Sequence, residues 1–228
     1  ITKIKKEKIN VIYNPKDIQK IKEKAQKVPE HSWFQNKTIP IILGVGRLRP
    51  QKDFLTLIRA FSQARNEIDV KLVILGGGLG KNVLDKEIKK LKLENSVDLV
   101  GFSHDTESFM QHSDIFVSTS LWEGMPNALI ESLVVGTPSI ATDCPCGPRE
   151  VLAPDTDYSK RISKDVEYAQ YGVLVPMRDV NSLAQSIIKL LTDKNLYEKY
   201  KKRSAERGSN FDSNLLVSEY SKVLYSHE

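Results

Sequence analysis

From residue 37 onward, short apolar runs alternate with longer stretches of helical periodicity, and no other feature limits the fold so strongly. The runs fall at 39–44, 70–75, 97–100, 115–118, 139–141 and 173–175. Most are apolar throughout, as strands are when helices cover both faces of a parallel sheet. Helical patterns lie between them, near 53–66, 82–92, 105–112, 126–135, 147–152 and 180–192. A βαβα order predicts an α/β fold, a Rossmann-like, doubly wound parallel sheet of about six strands. Two C-terminal helices are expected at 195–207 and 213–226. The second carries an apolar stripe of Phe211, Leu215, Leu216, Tyr220 and Leu224. Ligands of such sheets sit beyond the carboxyl ends of the strands, so the loops that follow strands are the informative ones.

At 228 residues, 40% hydrophobic and 28% charged, the chain can bury a full core. Disordered, collagen-like and disulfide-stapled classes are excluded. Cys144 and Cys146 are too few for a secreted framework, and no Cys or His cluster accompanies them to hold zinc. They read as packed or exposed thiols in a reducing, cytoplasmic setting. No apolar run nears the ~20 residues that span a bilayer, and the opening residues do not read as a signal peptide. The chain begins with Ile1 rather than Met, as expected of a piece of something longer.

The formal net charge is +5. Residues 1–36 hold nine lysines (3, 5, 6, 8, 16, 20, 22, 24 and 27) and four acids (Glu7, Asp17, Glu23 and Glu30), which accounts for the whole excess. This segment has no arginine, whereas nucleic-acid surfaces mix arginine and aromatics over a folded face, so no nucleic-acid partner is expected. Its Ile18, Ile21, Ala25 and Val28 form a narrow helical stripe, which predicts a solvated Lys-rich helix packed along one edge. A surface that meets anionic lipid headgroups is the second reading.

Two Gly-rich loops follow strands. Gly76-Gly77-Gly78-Leu79-Gly80-Lys81-Asn82 fails the P-loop pattern, because Leu75 stands where a Gly is needed and Asn82 replaces the magnesium-binding Ser or Thr. It reads as a flexible strand-to-helix turn. Gly44-Val45-Gly46-Arg47-Leu48-Arg49 fails the dinucleotide fingerprint, with Arg49 in the place of Gly. Here, however, Arg47 and Lys52 flank a turn at Pro50, just before a helix that starts near Asp53. Two cations and a helix N-terminus at one spot suit a diphosphate.

The loop from Ser118 to Asn127 leads into a helix with Pro126 at its first position and Gly136 at its stop. Glu131 lies inside that helix among Ala128, Leu129, Ile130, Leu133, Val134 and Val135. A carboxylate in a helix that is apolar nearly all round needs a partner. Glu123 sits in the loop at the helix mouth. Two acids at different depths beside a helix N-terminus can grip hydroxyls and phosphate together. The plainer alternatives are an internal ion pair for Glu131 and a solvated loop acid for Glu123.

In these residues the chain resembles the C-terminal domain of the group 1 (family 4) retaining glycosyltransferases, which have the GT-B architecture. Asn14-Pro15 is similar to the start of that domain after the interdomain crossing. Gly46-Arg47-Leu48 through Gln51-Lys52 resembles its phosphate loop, and Val100-Gly101-Phe102 its base-binding strand end. Glu123-Gly124-Met125-Pro126-Asn127-Ala128-Leu129-Ile130-Glu131 resembles its paired-glutamate signature. Gly136-Thr137-Pro138, Ala141-Thr142-Asp143, Gly147-Pro148-Arg149-Glu150 and Gly172-Val173-Leu174-Val175-Pro176 follow in the family's order, so the likeness covers most of 10–192.

The resemblance implies three parts: a Lys-rich interdomain crossing segment with a helix over 1–36, a nucleotide-sugar donor domain over 37–194, and C-terminal helices over 195–228. An N-terminal acceptor domain would lie outside this chain. It implies that Arg47 and Lys52 neutralise the diphosphate, that Glu123 binds a hydroxyl of the donor sugar, and that these three form the catalytic set. Glu131 would hold the ribose hydroxyls. Gly46 and the backbone of Gly124, Met125, Pro126, Asn127, Ala128 and Leu129 would meet phosphate and sugar, and Gly101, Phe102 and Ser103 would frame the base. The implied donor is a nucleoside-diphosphate sugar, with a UDP-sugar expected and no cofactor or metal required. The implied acceptor is a glycan or lipid-linked molecule, with peripheral contact at the inner face of a membrane. The competing readings are a GT-B epimerase or phosphorylase and a non-catalytic binding module. The stretch 155–170, with Tyr158, Lys160, Arg161, Lys164 and Tyr168, is long for the turn before the last strand and is expected to be a mobile surface loop or an extra helix.

Overall fold

A computed structural model describes residues 9–225. Helix α1 (Ile18–Ala25) and the four-residue α2 (Ser32–Gln35) precede β1 (Ile41–Val45). A 3-10 turn (Pro50–Lys52) leads into α3 (Phe54–Ala64), followed by β2 (Lys71–Leu75), α4 (Lys81–Lys90) and β3 (Val97–Gly101). Then come α5 (Thr106–His112), β4 (Ile115–Ser118), α6 (Asn127–Val134), β5 (Ser139–Thr142) and α7 (Pro148–Leu152). The two-residue β6 (Glu167–Tyr168) and β7 (Val173–Val175) complete the sheet. The chain continues through α8 (Val180–Thr192), α9 (Lys194–Ser209) and α10 (Ser213–Tyr225).

The strand order is β3-β2-β1-β4-β5-β7-β6. All six expected strands are present and parallel. β6 was not expected; it pairs antiparallel with β7, Glu167 opposite Leu174 and Tyr168 opposite Val173. The chain winds outward from β1 to β3, then returns to build the other half from β4, so the winding reverses between β1 and β4.

The period-two alternation of strands divides the apolar residues between two cores. Ile42, Leu72, Ile74, Ile115 and Val117 face one layer with Leu57, Phe61, Leu84, Leu183 and Ile187 of α3, α4 and α8. Ile41, Leu43, Val73, Leu75 and Phe116 face the other, with Ile21, Phe109, Met110, Leu129 and Leu133 of α1, α5 and α6. Three helices start on Asp side chains that take the first free amides: Asp17 from Lys20, Asp179 from Ser182 and Asp193 from Leu196. The buried Arg207 fastens α9 to α7 by donating to the carbonyls of Val151 and Glu150, both at 2.9 Å, over the rings of Phe211 and Tyr171. Burial pulls its pKa below the usual arginine value.

Three expectations change. Helix α1 ends at Ala25, so Val28 leaves the expected stripe and is exposed; it precedes Pro29, and the residue before a proline is pushed out of helical geometry. On α10 only Leu216 is buried, while Leu215, Tyr220 and Leu224 face outward; Phe211 is buried but precedes the helix. The stretch 155–170 holds no helix; the backbone N–H of Ile162 donates to Asp143, and the stretch ends in β6. Of the Lys-rich segment, Lys3, Lys5, Lys6, Glu7 and Lys8 lie outside the described residues. No described helix is long and apolar enough to cross a membrane.

Candidate functional site

Because the six strands run parallel, the loops after them gather at one end of the sheet. The loops after β1 and β4 flank the point where the winding reverses, the place where open α/β sheets leave a crevice. They are joined directly. Leu121 N–H donates to the Gln51 carbonyl at 2.8 Å, the Gln51 amide donates to the Trp122 carbonyl at 2.8 Å, and the Thr119 hydroxyl donates to the Lys52 carbonyl at 2.8 Å.

At this junction Lys52 Nζ donates to Glu123 Oε1 at 2.5 Å. Ser120 donates to the same oxygen at 2.6 Å. The Glu123 side chain is only 8% exposed, so it is not a solvated loop acid. Arg47, one turn of chain earlier, is exposed and makes no ion pair among the described residues. A lysine ammonium has three donors and Glu123 uses one of them, so Lys52 keeps capacity for an anion.

The loop after β4 runs through the exposed Gly124 and half-buried Met125 into α6. Pro126 is the residue before the helix rather than its first, and it offers no side-chain cap. The N–H groups of Ala128 and Leu129 have no intrahelical acceptor and point out of the helix start, a geometry that favours anions. Asn127 is exposed; Ala128 is half-buried and Leu129 is buried against the second core. One turn on, Glu131 has the partner its surroundings demand: Lys16 Nζ donates to Oε1 at 2.6 Å.

Close backbone approaches support these loops. A Cβ on Gly76, which has φ +142°, would lie 1.9 Å from the carbonyl oxygen of Gly46. Leu48 N–H donates to the Gly77 carbonyl, and Gly80 N–H to that of Leu48, both at 2.9 Å. The 76–80 turn is therefore the packed backing of the Gly46–Arg47–Leu48 loop, and contact requires a glycine at Gly76, Gly78 and Gly80, whereas a Cβ on Gly77 would meet open space. Gly147, at φ +86°, likewise backs the acidic loop: a Cβ there would meet Pro126 Cδ at 2.5 Å and the Gly124 carbonyl at 2.9 Å. Gly101 ends β3 and its carbonyl accepts from Gly76 at 2.7 Å. Phe102 beyond it is 73% exposed and stands edge-on to His104, and the Ser103 hydroxyl accepts from the Asp105 N–H.

Behind the acidic loop, Asp143 and Arg149 form a buried pair. Arg149 Nε and Nη2 donate to the two Asp143 oxygens at 2.6–3.2 Å, and Nη2 also reaches Glu167 at 2.8 Å. Nη1 donates to Thr156 at 3.2 Å. Burial works against the guanidinium charge, but the bonds to Asp143 and Glu167 outweigh it and raise the pKa. This hub pins the 155–170 stretch at both ends, which is why it is not a free loop.

The two cysteines differ. Cys144 is buried, and burial, with the nearby Glu123 charge, pushes its thiol up to about 12. Cys146 is exposed. At pH 8 only about one Cys144 in 10⁴ is thiolate. Iodoacetamide will therefore alkylate Cys146 and spare Cys144 in the native protein, read by peptide mass spectrometry; equal labelling of both would contradict this placement.

The loops after β1 and β4 and the helix they lead into thus carry two cations, a helix start with free N–H groups and two carboxylates. Among the described residues no group of three or more His, Cys, Asp or Glu stands together to hold a metal. A separate cavity of about 230 Å³ opens beside the β1 loop, lined by Leu48, Phe54 and Leu84 and by Arg49, Asp53 and Arg178, and includes neither Lys52 nor either glutamate. Sequence reasoning missed Lys16, Thr119 and Ser120. Only Lys16 had a signal, the need of a carboxylate in an apolar helix for a partner.

The chain matches the family model described as glycosyl transferases group 1 over residues 26–207. It is 34% identical over 238 residues to MJ1059 of Methanocaldococcus jannaschii, an uncharacterized glycosyltransferase, covering 96% of this chain and 58% of that protein. It is 35% identical over 209 residues to the N-acetylgalactosamine-N,N'-diacetylbacillosaminyl-diphospho-undecaprenol 4-alpha-N-acetylgalactosaminyltransferase of Campylobacter jejuni, covering 92% of this chain and 51% of that protein. The chain thus spans little more than half the length of these relatives. Its fold is similar to that of Anabaena Alr3699/HepE in complex with UDP, with a TM-score of 0.80 at 23% identity, covering 95% of this chain and 57% of that one.

Proposed function

The chain belongs to the group 1 glycosyl transferases, and from that membership we propose that it is the donor-binding half of a retaining enzyme. The donor is a nucleoside-diphosphate sugar, with UDP-sugar favoured because the similar Anabaena structure holds UDP. The acceptor is a glycan or a lipid-linked molecule, in keeping with the undecaprenol in the name of the Campylobacter relative. The acceptor site belongs to residues outside this chain. A lipid-linked acceptor would place the work at the cytoplasmic, inner face of a membrane.

The carrying observation is the Lys52–Glu123 contact at 2.5 Å across the reversal point of the sheet. A non-catalytic module would have no need to bring these charges together from loops 71 residues apart. When the bond from the sugar to its diphosphate breaks, negative charge builds on the departing oxygen. Arg47, Lys52 and the Ala128 and Leu129 N–H groups are fixed donors for that charge, a role a divalent metal fills in other sites. Glu123, held by Lys52 and Ser120 through Oε1, keeps Oε2 for a hydroxyl of the sugar. Glu131 takes the ribose, and Gly101, Phe102 and Ser103 frame the base.

Calorimetry with UDP, GDP and ADP tests the reading. The chain should bind one of them more weakly than a complete cleft would, and should transfer little sugar alone. No heat of binding at millimolar concentrations of any of the three would overturn the proposal.

A further inference from the structure

Lys16 stands apart from the other lysines near the start of the chain. Lys24 and Lys27 also pair with acids, Glu107 and Glu30, but their side chains are 49% and 60% exposed. The Lys16 side chain is 13% exposed, and its ammonium meets Glu131, 115 residues away, at 2.6 Å. A charge-assisted bond this short and this sheltered is among the stronger single contacts a surface crevice can hold.

The main chain of Lys16 is fixed independently of its side chain. Its N–H donates to the Phe211 carbonyl and its carbonyl accepts from Ser213 N–H, both at 2.8 Å. The segment just before α1 is thus locked onto the junction of α9 and α10, and from that anchor the lysine reaches α6. Only Oε1 of Glu131 is engaged; Oε2 takes no hydrogen bond among the described residues. A carboxylate accepts at about four lone-pair positions, so one oxygen can be held while the other receives hydroxyls. Removing the ammonium would leave the Glu131 carboxylate without its ion-pair partner and free to change rotamer, and a ligand would have to order it on arrival.

We propose that Lys16 is a positioning residue for the donor's ribose, clamping Glu131 by one oxygen so that the other is aimed at the ribose hydroxyls. The inference rests on the donor-site reading above and adds a residue that the paired-glutamate signature does not contain. It also makes the segment ahead of α1 a working part of the nucleotide site.

The test is titration calorimetry of the chain with UDP and with 2′,3′-dideoxy-UDP, for the native protein and for Lys16→Met and Lys16→Arg. The native protein should prefer UDP over the dideoxy probe by at least tenfold. Lys16→Met should lose most of that preference, binding UDP at least tenfold more weakly while its affinity for the dideoxy probe stays within about twofold. Lys16→Arg, which keeps the charge but can fork onto both Glu131 oxygens, should recover only part of the preference. Equal weakening toward both probes would show a merely structural role, and no change toward either would show no role; each overturns the inference and leaves the donor site standing. Tighter UDP binding by Lys16→Met would overturn it in favour of a latch that competes with the ribose. If the native protein binds none of UDP, GDP and ADP, the donor-site reading fails and this inference falls with it.

Discussion

Arg149→Leu will lower the stability of the chain by about 3–5 kcal/mol, the usual result of removing one member of a buried ion pair. The side chain is 6% exposed and Asp143 is fully buried. Without the guanidinium, Asp143 keeps the Ile162 N–H as its one remaining donor among the described residues and loses its ion-pair partner. For a domain of this size the loss corresponds to a fall in Tm on the order of 10 °C. Arg149→Lys should fall between, because a single ammonium cannot fork onto both Asp143 oxygens while also reaching Glu167 and Thr156. Thermal unfolding followed by circular dichroism gives the ranking. Limited proteolysis adds a local readout, since cleavage should appear first between 157 and 165 once the hub is gone. A native-like Tm for Arg149→Leu would show that water already reaches Asp143.

Arg47→Ala/Lys52→Ala will weaken nucleoside diphosphate binding at least a hundredfold. Hydrogen bonds to charged groups contribute about 1.5–3 kcal/mol each, so two of them carry at least two decades of affinity. The two cations are expected to act differently. Arg47 makes no ion pair among the described residues, so Arg47→Ala should cost affinity alone. Lys52 also neutralises Glu123, whose side chain is 8% exposed, so Lys52→Ala should cost affinity and stability together. Adding Glu123→Leu to Lys52→Ala should recover stability and leave the affinity lost. Calorimetry and thermal unfolding on the same four proteins separate these effects. Full nucleotide binding by the double variant would remove the phosphate role from both residues.

The sheet was legible because its signal is periodic. Runs such as 70–75 and 115–118 are apolar on both faces, and every one of the six became a parallel strand. β6 was not legible, since Glu167 and Tyr168 are two residues with no period; in the structure they pair with β7 while Glu167 also accepts from Arg149. Helix α1 was read one turn too long, where a local rule, the proline after Val28, overrides the spacing of apolar residues. In the α10 stripe, sequence alone could not show that Leu215, Tyr220 and Leu224 would be left largely exposed among the described residues. Of the candidate site, the residue types and their loops were readable. The pairings were not, because Lys16–Glu131 and Lys52–Glu123 join positions 115 and 71 apart, and only the winding of the sheet brings them together.

The bonds that tie Gln51 and Lys52 to Thr119, Leu121 and Trp122 have a consequence for timing. Each residue held in one backbone conformation loses about 1–2 kcal/mol of entropy. Here that loss is taken when the chain folds rather than when a ligand binds. Any ligand at this junction would meet two loops already bonded to each other.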